Sequence, residues 1–183
     1  IVLTYPSTRA AGTFPTTWLV EQAQALSHER AQSLEFRFQN EDLLLEKARQ
    51  RYWFGWSFWG RSRVCDADGH DISVTDGAWI IALGVYGAVG FYALFGLLTN
   101  ASLTAFRALR HLRPAEAHLL SALAWVQVCL VVDLIPNSTG SNLHLYLTGC
   151  IVGAAHSLVK ENRSSATVRG RDGGLHVPPP GLV

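Results

Sequence analysis

The chain has 183 residues, 49% of them hydrophobic, and balances 15 Lys/Arg against 14 Asp/Glu for a net charge of +1. That balance gives no argument for nucleic acid or for any strongly charged partner. The three cysteines (Cys65, Cys129, Cys150) form no CxxC pair and no disulfide framework, so neither a metal nor another cofactor is expected.

The chain opens at Ile1, contains no methionine, and has no basic stretch followed by an apolar signal region. It therefore reads as the C-terminal fragment of a longer polytopic protein. Residues 1–14 look extended and irregular. Thr13-Phe14-Pro15 then sets up a short helix to about Leu26, with Pro15 tolerated in its first turn. A longer helix is predicted from about His28 to Arg51. Leu34, Phe38, Leu45 and Ala48 recur near the helical period, and Glu35, Glu41, Asp42, Glu46 and Lys47 supply a polar side. It is amphipathic and does not span a membrane. The aromatic segment from Tyr52 to Gly60 follows. Asp66-Ala67-Asp68-Gly69-His70-Asp71 reads as a turn. As a calcium loop it has a misplaced glycine, and Gly77 stands where the bidentate Glu belongs.

From Gly77 to Phe106 there is no charged side chain. Roughly 20 apolar residues suffice to cross a bilayer as a helix, whereas buried helices of soluble proteins are usually shorter and carry polar punctuation. A second span is predicted over about 115–132, closed by Asp133, and a third over about 143–159, containing His144 and His156. Gly149, Gly153, Ala154 and Ala155 suit the third to close helix packing. The fold class is thus an all-α membrane protein. An external loop region (1–76) precedes three transmembrane helices (77–106, 115–132 and 143–159), and a polar, disordered tail occupies 160–183. Arg107, Arg110 and Arg113 fall between the first two spans, 133–142 holds no Lys or Arg, and Lys160, Arg163, Arg169 and Arg171 follow the third. This bias puts residues 1–76 outside and the C-terminus in the cytoplasm.

The external region lies directly against the membrane and carries the candidate chemistry. Arg30 and Arg37 are about two helical turns apart, and guanidinium groups recognise phosphate in a bidentate way. Spacing alone favours a plainer role, pairing with Glu29, Glu35 or Glu41. Trp53, Trp56 and Trp59 suit membrane anchoring, and also a surface for sugars or isoprenoid chains. His70, Asp71 and Asp76 offer a general base near the membrane, while Asp76 is equally placed to cap the first span.

The order of these features carries a resemblance. Arg37 in an amphipathic helix, then Phe54-Gly55-Trp56 with Gly60, a polar loop, and Leu83-Gly84-Val85-Tyr86-Gly87-Ala88-Val89-Gly90 resemble the C-terminal signature of the O-antigen ligase and polymerase superfamily. The likeness covers roughly residues 28–159. Where that family usually has a functional His-Asn, this chain has Thr75-Asp76, and Tyr52 stands where the family's turn usually has proline. The resemblance implies a multi-pass glycosyltransferase of the bacterial inner membrane, with residues 1–76 in the periplasm. Such enzymes transfer or polymerise glycan from an undecaprenyl-pyrophosphate carrier to lipid A–core or to another lipid-linked glycan. Arg37 and Arg30 would then bind pyrophosphate, Asp76 would act as base with His70 as the alternative, and Trp53, Trp56 and Trp59 would meet substrate or lipid. Two other functions fit the sequence. One is a non-catalytic scaffold of a polysaccharide assembly complex, favoured by the loss of His-Asn. The other is a transporter, with Asp133, His144 and His156 along its path.

Overall fold

A computed structural model describes residues 2–58, 60–138 and 142–172. The described residues form six α-helices: α1 (Thr4–Ala10), α2 (Thr16–Leu26), α3 (His28–Arg49), α4 (Ala78–Ala108), α5 (Pro114–Asp133) and α6 (Leu143–Asp172). A 3-10 turn (Leu109–His111) closes α4. The described residues are all-α, as the sequence predicts.

Helix α1 lies where the sequence predicts irregular chain. The Ser7 and Thr8 hydroxyls donate back to the carbonyls of Leu3 and Thr4, at 2.6 and 3.0 Å. Seven residues do not hold a helix in water on their own, and contacts to α3 described below hold this one. Helix α3 turns Phe38, Leu44, Leu45 and Ala48 inward, where the last three join Trp79, Phe91, Phe95 and Leu98 of α4 in one core.

Two helical stretches, Ala78–His111 and Pro114–Asp133, are long and apolar enough to cross a membrane. Pro114 occupies the first turn of α5, where its missing N–H is no loss, and the Glu116 side chain accepts the Arg113 backbone N–H at 3.3 Å. Only 17% of the most apolar stretch of α5 is buried, against 50% for α4. Leu119, Trp125 and Val126 point away from the protein, which a soluble core helix would not do. The predicted third span lies inside α6, but α6 does not reach the same apolar standard among the described residues. His144, His156 and Lys160 interrupt its apolar part. Nor does the helix stop at Val159. It runs on to Asp172, so residues 160–172 are helical where the sequence predicts a disordered tail. Small residues bring the three helices together, with Ala101, Ala105 and Ala108 of α4 in a buried cluster with Leu120 of α5 and Ile151 and Ala155 of α6.

Helix α4 is broken once, at Gly87 (φ 68°, ψ −173°). The break frees backbone groups that the apolar interior would otherwise leave unpaired, and the aromatic segment takes them up. The amides of Trp56 and Ser57 donate to the carbonyls of Gly84 and Val85 at 2.9 and 2.8 Å. In return, the amides of Ala88 and Val89 donate to the carbonyls of Tyr52 and Trp53 at 2.7 and 3.2 Å. In apolar surroundings non-helical backbone persists where other groups take up its hydrogen bonds. Residues 52–57 are therefore a built-in patch for the gap in α4.

Candidate functional site

Arg37 and Asp76 are 39 positions apart in sequence, and the fold places them together. Their side chains form an ion pair, Nε to Oδ2 at 3.6 Å, with 47% and 39% of each side chain exposed. They stand on the wall of a cavity of about 240 Å³ between α3, the start of α4 and the chain after α5, lined also by Tyr5, Phe38, Glu41 and Pro136.

Three local devices set this geometry. Asn40, one turn beyond Arg37 on α3, accepts the Val74 amide on its Oδ1 at 2.9 Å and anchors its own Nδ2 to the Phe36 carbonyl. Arg63 holds the same strand-like segment from the other side, donating to Asp71 (2.8 Å), the Ser73 carbonyl (3.2 Å) and the Thr75 hydroxyl (3.1 Å). Slight burial pushes the Asp71 carboxyl up, but the Ser73 hydroxyl and amide and the Arg63 guanidinium outweigh it and hold the group below the ordinary carboxylate range. Gly77 is the third device. A side chain there would collide with the Ile135 carbonyl and the Trp79 indole, so glycine lets the chain turn from Asp76 into α4.

Of the two roles open to Asp76, capping is not the one it plays. The residue before α4 is Gly77, with no side-chain cap, and the Ala78 amide is met by the carbonyls of Leu134 and Asn137, both at 3.0 Å. Asp76 is left facing Arg37.

Behind this pair is a cluster of polar groups that sequence reasoning missed. Arg9 of α1 is 4% exposed and donates to Glu41 (2.9 Å), Asp42 (2.9 Å) and the Phe38 carbonyl (3.2 Å), with its guanidinium 5.1 Å from the Phe38 ring centroid. The Tyr5 hydroxyl donates to the Glu41 carboxylate, 2.8 Å from the nearer oxygen. Burial raises the Glu41 carboxyl above its ordinary range despite the hydrogen bonds from Tyr5 and Arg9. Burial, followed by the nearby Glu41 charge, pushes the Tyr5 phenol well up. Burial opposes the Arg9 charge, but Glu41 and Asp42 outweigh it and raise the guanidinium. Glu41, a sequence candidate for pairing with Arg37, is thus committed to Arg9 and Tyr5. The i to i+4 spacing of Arg37 and Glu41 signals a shared helix face, but nothing local signals that Arg9 arrives from 32 residues away.

The remaining predicted site residues stand apart. Arg30 is exposed on α3 and does not line the cavity. His70 is also exposed, at the tip of a turn built on Asp66, whose Oδ1 accepts the amides of Asp68 and His70 at 3.0 and 2.8 Å. Ligand atoms of Asp66, Asp68 and His70 lie within 4.8 Å of one another, a closeness that this turn accounts for. Trp56 is not an open platform. Lys47 Nζ and the Arg51 guanidinium lie 4.2 and 4.7 Å from its ring centroid, and its Nε1 donates to the Lys47 carbonyl at 3.0 Å. Trp53 is 65% exposed and meets Tyr52 edge-on, with 5.3 Å between ring centroids. Trp59 lies outside the described residues. The transporter candidates are scattered. Asp133 accepts from Asn137 at the end of α5, His144 is buried, and His156 lines a separate cavity.

Chemically, the cavity offers the Arg37 cation and the Asp76 carboxylate side by side at a water-accessible edge, with Glu41 as a second lining carboxylate committed to Arg9 and Tyr5. No protein family, no curated protein and no solved structure matches this chain.

Proposed function

We propose that this protein is a glycosyltransferase of the bacterial inner membrane, transferring or polymerising glycan from an undecaprenyl-pyrophosphate carrier onto a lipid-anchored acceptor. In this reading α4, α5 and residues 143–159 of α6 cross the bilayer, and the Arg37–Asp76 cavity opens at its periplasmic face. The single observation that carries it is the meeting of Arg37 with Asp76 on the wall of a cavity beside the first residues of α4.

The chemistry asked of these residues is modest. The acceptor hydroxyl oxygen attacks the anomeric carbon, the bond from that carbon to the pyrophosphate oxygen breaks, and the carrier pyrophosphate leaves. Arg37 stabilises the charge that grows on the departing pyrophosphate, and Asp76 takes the hydroxyl proton. A half-exposed ion pair is worth about 0–1 kcal/mol, so Arg37 gives up Asp76 readily for a bidentate contact with phosphate. Arg30, two turns away, is a more distant contact for the carrier, and Trp53 with its neighbours meets lipid or sugar. His70 is the less favoured base because it does not line the cavity with Arg37.

A break in a membrane helix is also a transporter feature. Here the freed groups on both sides of Gly87 are bonded to residues 52–57, which leaves none of those four for a cargo ion.

The test is made in cells that depend on the protein. Arg37→Ala and Asp76→Asn are expressed to wild-type level, and carrier-linked glycan is quantified beside finished surface polysaccharide. Accumulation of the carrier-linked form with loss of the surface product is expected for both. Unchanged levels of both pools would reduce Arg37 to a solvated helix residue and move the scaffold reading ahead.

A further inference from the structure

A second cavity is at the other end of α4. About 570 Å³ opens between the last turn of α4 and the middle of α6, and its lining includes Arg107, His111, His156, Lys160 and Arg163. Such a volume is in the range of small-molecule sites. Ala108 and Ala155 form the floor, both buried, and their short side chains are what leave the space open.

Basic residues near the end of a membrane helix need no ligand to explain them, because they also set topology. What sets this group apart is its convergence. Arg110 and Arg113 belong to the same basic stretch yet do not line the cavity, and Arg113 is neutralised by Glu116 at 2.6 Å. Arg107 and Lys160 make no ion pair among the described residues, and no carboxylate is among the lining side chains. The end of α4 and the middle of α6 thus bring Arg107 and Lys160 to one concavity beside Arg163, His111 and His156, and an anion there would relieve the repulsion between Arg107 and Lys160. One wall is apolar (Ala108, Ala155, Val159) and the other polar and charged, the lining that a phosphate carrying an apolar chain requires.

We propose that this cavity binds a phosphate-bearing anion, supplied by the headgroup of an acidic membrane phospholipid. Arg107 and Lys160 clasp the phosphate from α4 and α6, and the acyl chains leave along the apolar wall at Val159. The site stands on its own geometry and borrows from the proposed function only the bilayer as the source of phosphate. Basic pockets between membrane helices take acidic headgroups in this way.

The full chain, purified in a mild detergent, is titrated with dioleoyl-phosphatidylglycerol, dioleoyl-phosphatidylcholine or glycerol 3-phosphate. Bound molecules are counted by native mass spectrometry, and unfolding is followed in parallel. Phosphatidylglycerol is expected to bind at least tenfold more tightly than phosphatidylcholine. Each cation removed weakens binding about fivefold, so Arg107→Gln with Lys160→Gln loses roughly 25-fold, while Arg107→Lys and Arg110→Gln retain most of it. Binding of glycerol 3-phosphate as tight as that of phosphatidylglycerol would keep the phosphate site and assign it a soluble ligand. Equal binding of the two lipids, or a double variant that binds phosphatidylglycerol like the unaltered chain, overturns the proposal. Neither result bears on Arg37, so this site and the proposed transferase can fail separately.

Discussion

Gly55 and Gly87 cross backbone to backbone, with no room for a side chain on either. A Cβ on Gly55 would stand 2.5 Å from the Gly87 nitrogen, and one on Gly87 would stand 2.5 Å from the nitrogens of Gly55 and Phe54. Both have φ near +68°, a region that other residues avoid. Gly12 has the same kind of φ, +71°, with nothing within 4 Å of an added Cβ. Gly12→Ala therefore carries a positive-φ cost, about 1–2 kcal/mol, without any collision. Gly87→Ala adds a collision with main-chain atoms that cannot swing aside, about 1–3 kcal/mol more. Equilibrium unfolding in detergent should rank wild type above Gly12→Ala and Gly12→Ala above Gly87→Ala. Equal losses in the two variants would mean that the 52–57 segment does not press on α4.

Arg9 and Arg37, both ahead of α4, should separate cleanly by what they do to stability. Arg9 is buried against the mostly buried Glu41, so Arg9→Ala leaves that carboxylate only Tyr5 as a donor and is expected to destabilise by about 3 kcal/mol. Arg37 is half exposed with Asp76, and Arg37→Ala is expected to change stability by less than about 1 kcal/mol. Denaturant midpoints at constant slope decide it. A large loss on Arg37→Ala would make the Arg37–Asp76 pair part of the scaffold, and a small loss on Arg9→Ala would mean that α1 is not clamped to α3.

Glu41 and Asp71 should tilt the pH dependence of stability in opposite directions. Burial first of all raises Glu41, so its contribution is complete below the ordinary carboxylate range and is lost as pH rises through the raised folded value. Asp71 is held low, so its contribution is complete above the ordinary range and is lost as pH falls through the lowered folded value. Thermal midpoints between about pH 3 and about pH 8, bracketing the ordinary carboxylate values, are expected to fall less steeply on the alkaline side in Glu41→Gln. They should fall less steeply on the acid side in Asp71→Asn. A Glu41→Gln curve parallel to wild type throughout would sink the assignment of a raised Glu41.

The parts of the fold that depend on local sequence were legible, and those that depend on distant partners were not. The apolar run from Gly77 to Phe106 announces α4 because length and lack of charge are local properties. The glycines at 84, 87 and 90 look alike in sequence, yet only Gly87 breaks the helix, because only there does Gly55 bring in backbone groups to replace the lost bonds. Helix α1 was missed for a related reason. Its Pro6 and hydroxyl residues read as irregular chain, and Arg9 contacts 32 and 33 residues away hold it in place. The aromatic density at 52–58 was plain, but not that Lys47 and Arg51 would cover Trp56. Arg37 and Asp76 were singled out separately, and the sequence carried no sign that they touch.

The cysteines provide a test of the membrane arrangement without any new residue. Cys65, Cys129 and Cys150 are all free and exposed on the protein itself. Cys65 precedes the His70 turn ahead of α4, while Cys129 lies within α5 and Cys150 within α6. If α5 and α6 cross a bilayer, lipid covers the second and third thiols and leaves the first in water. A membrane-impermeant maleimide added to cells with a permeabilised outer envelope should then label Cys65 alone, and all three after denaturation in detergent. Modified Cys129 at a rate like that of Cys65 would remove α5 from the bilayer and the membrane reading with it. Protection of Cys65 until the inner membrane is opened would keep the spans but reverse the orientation, moving the Arg37–Asp76 cavity to the cytoplasm, where the periplasmic transferase could not act.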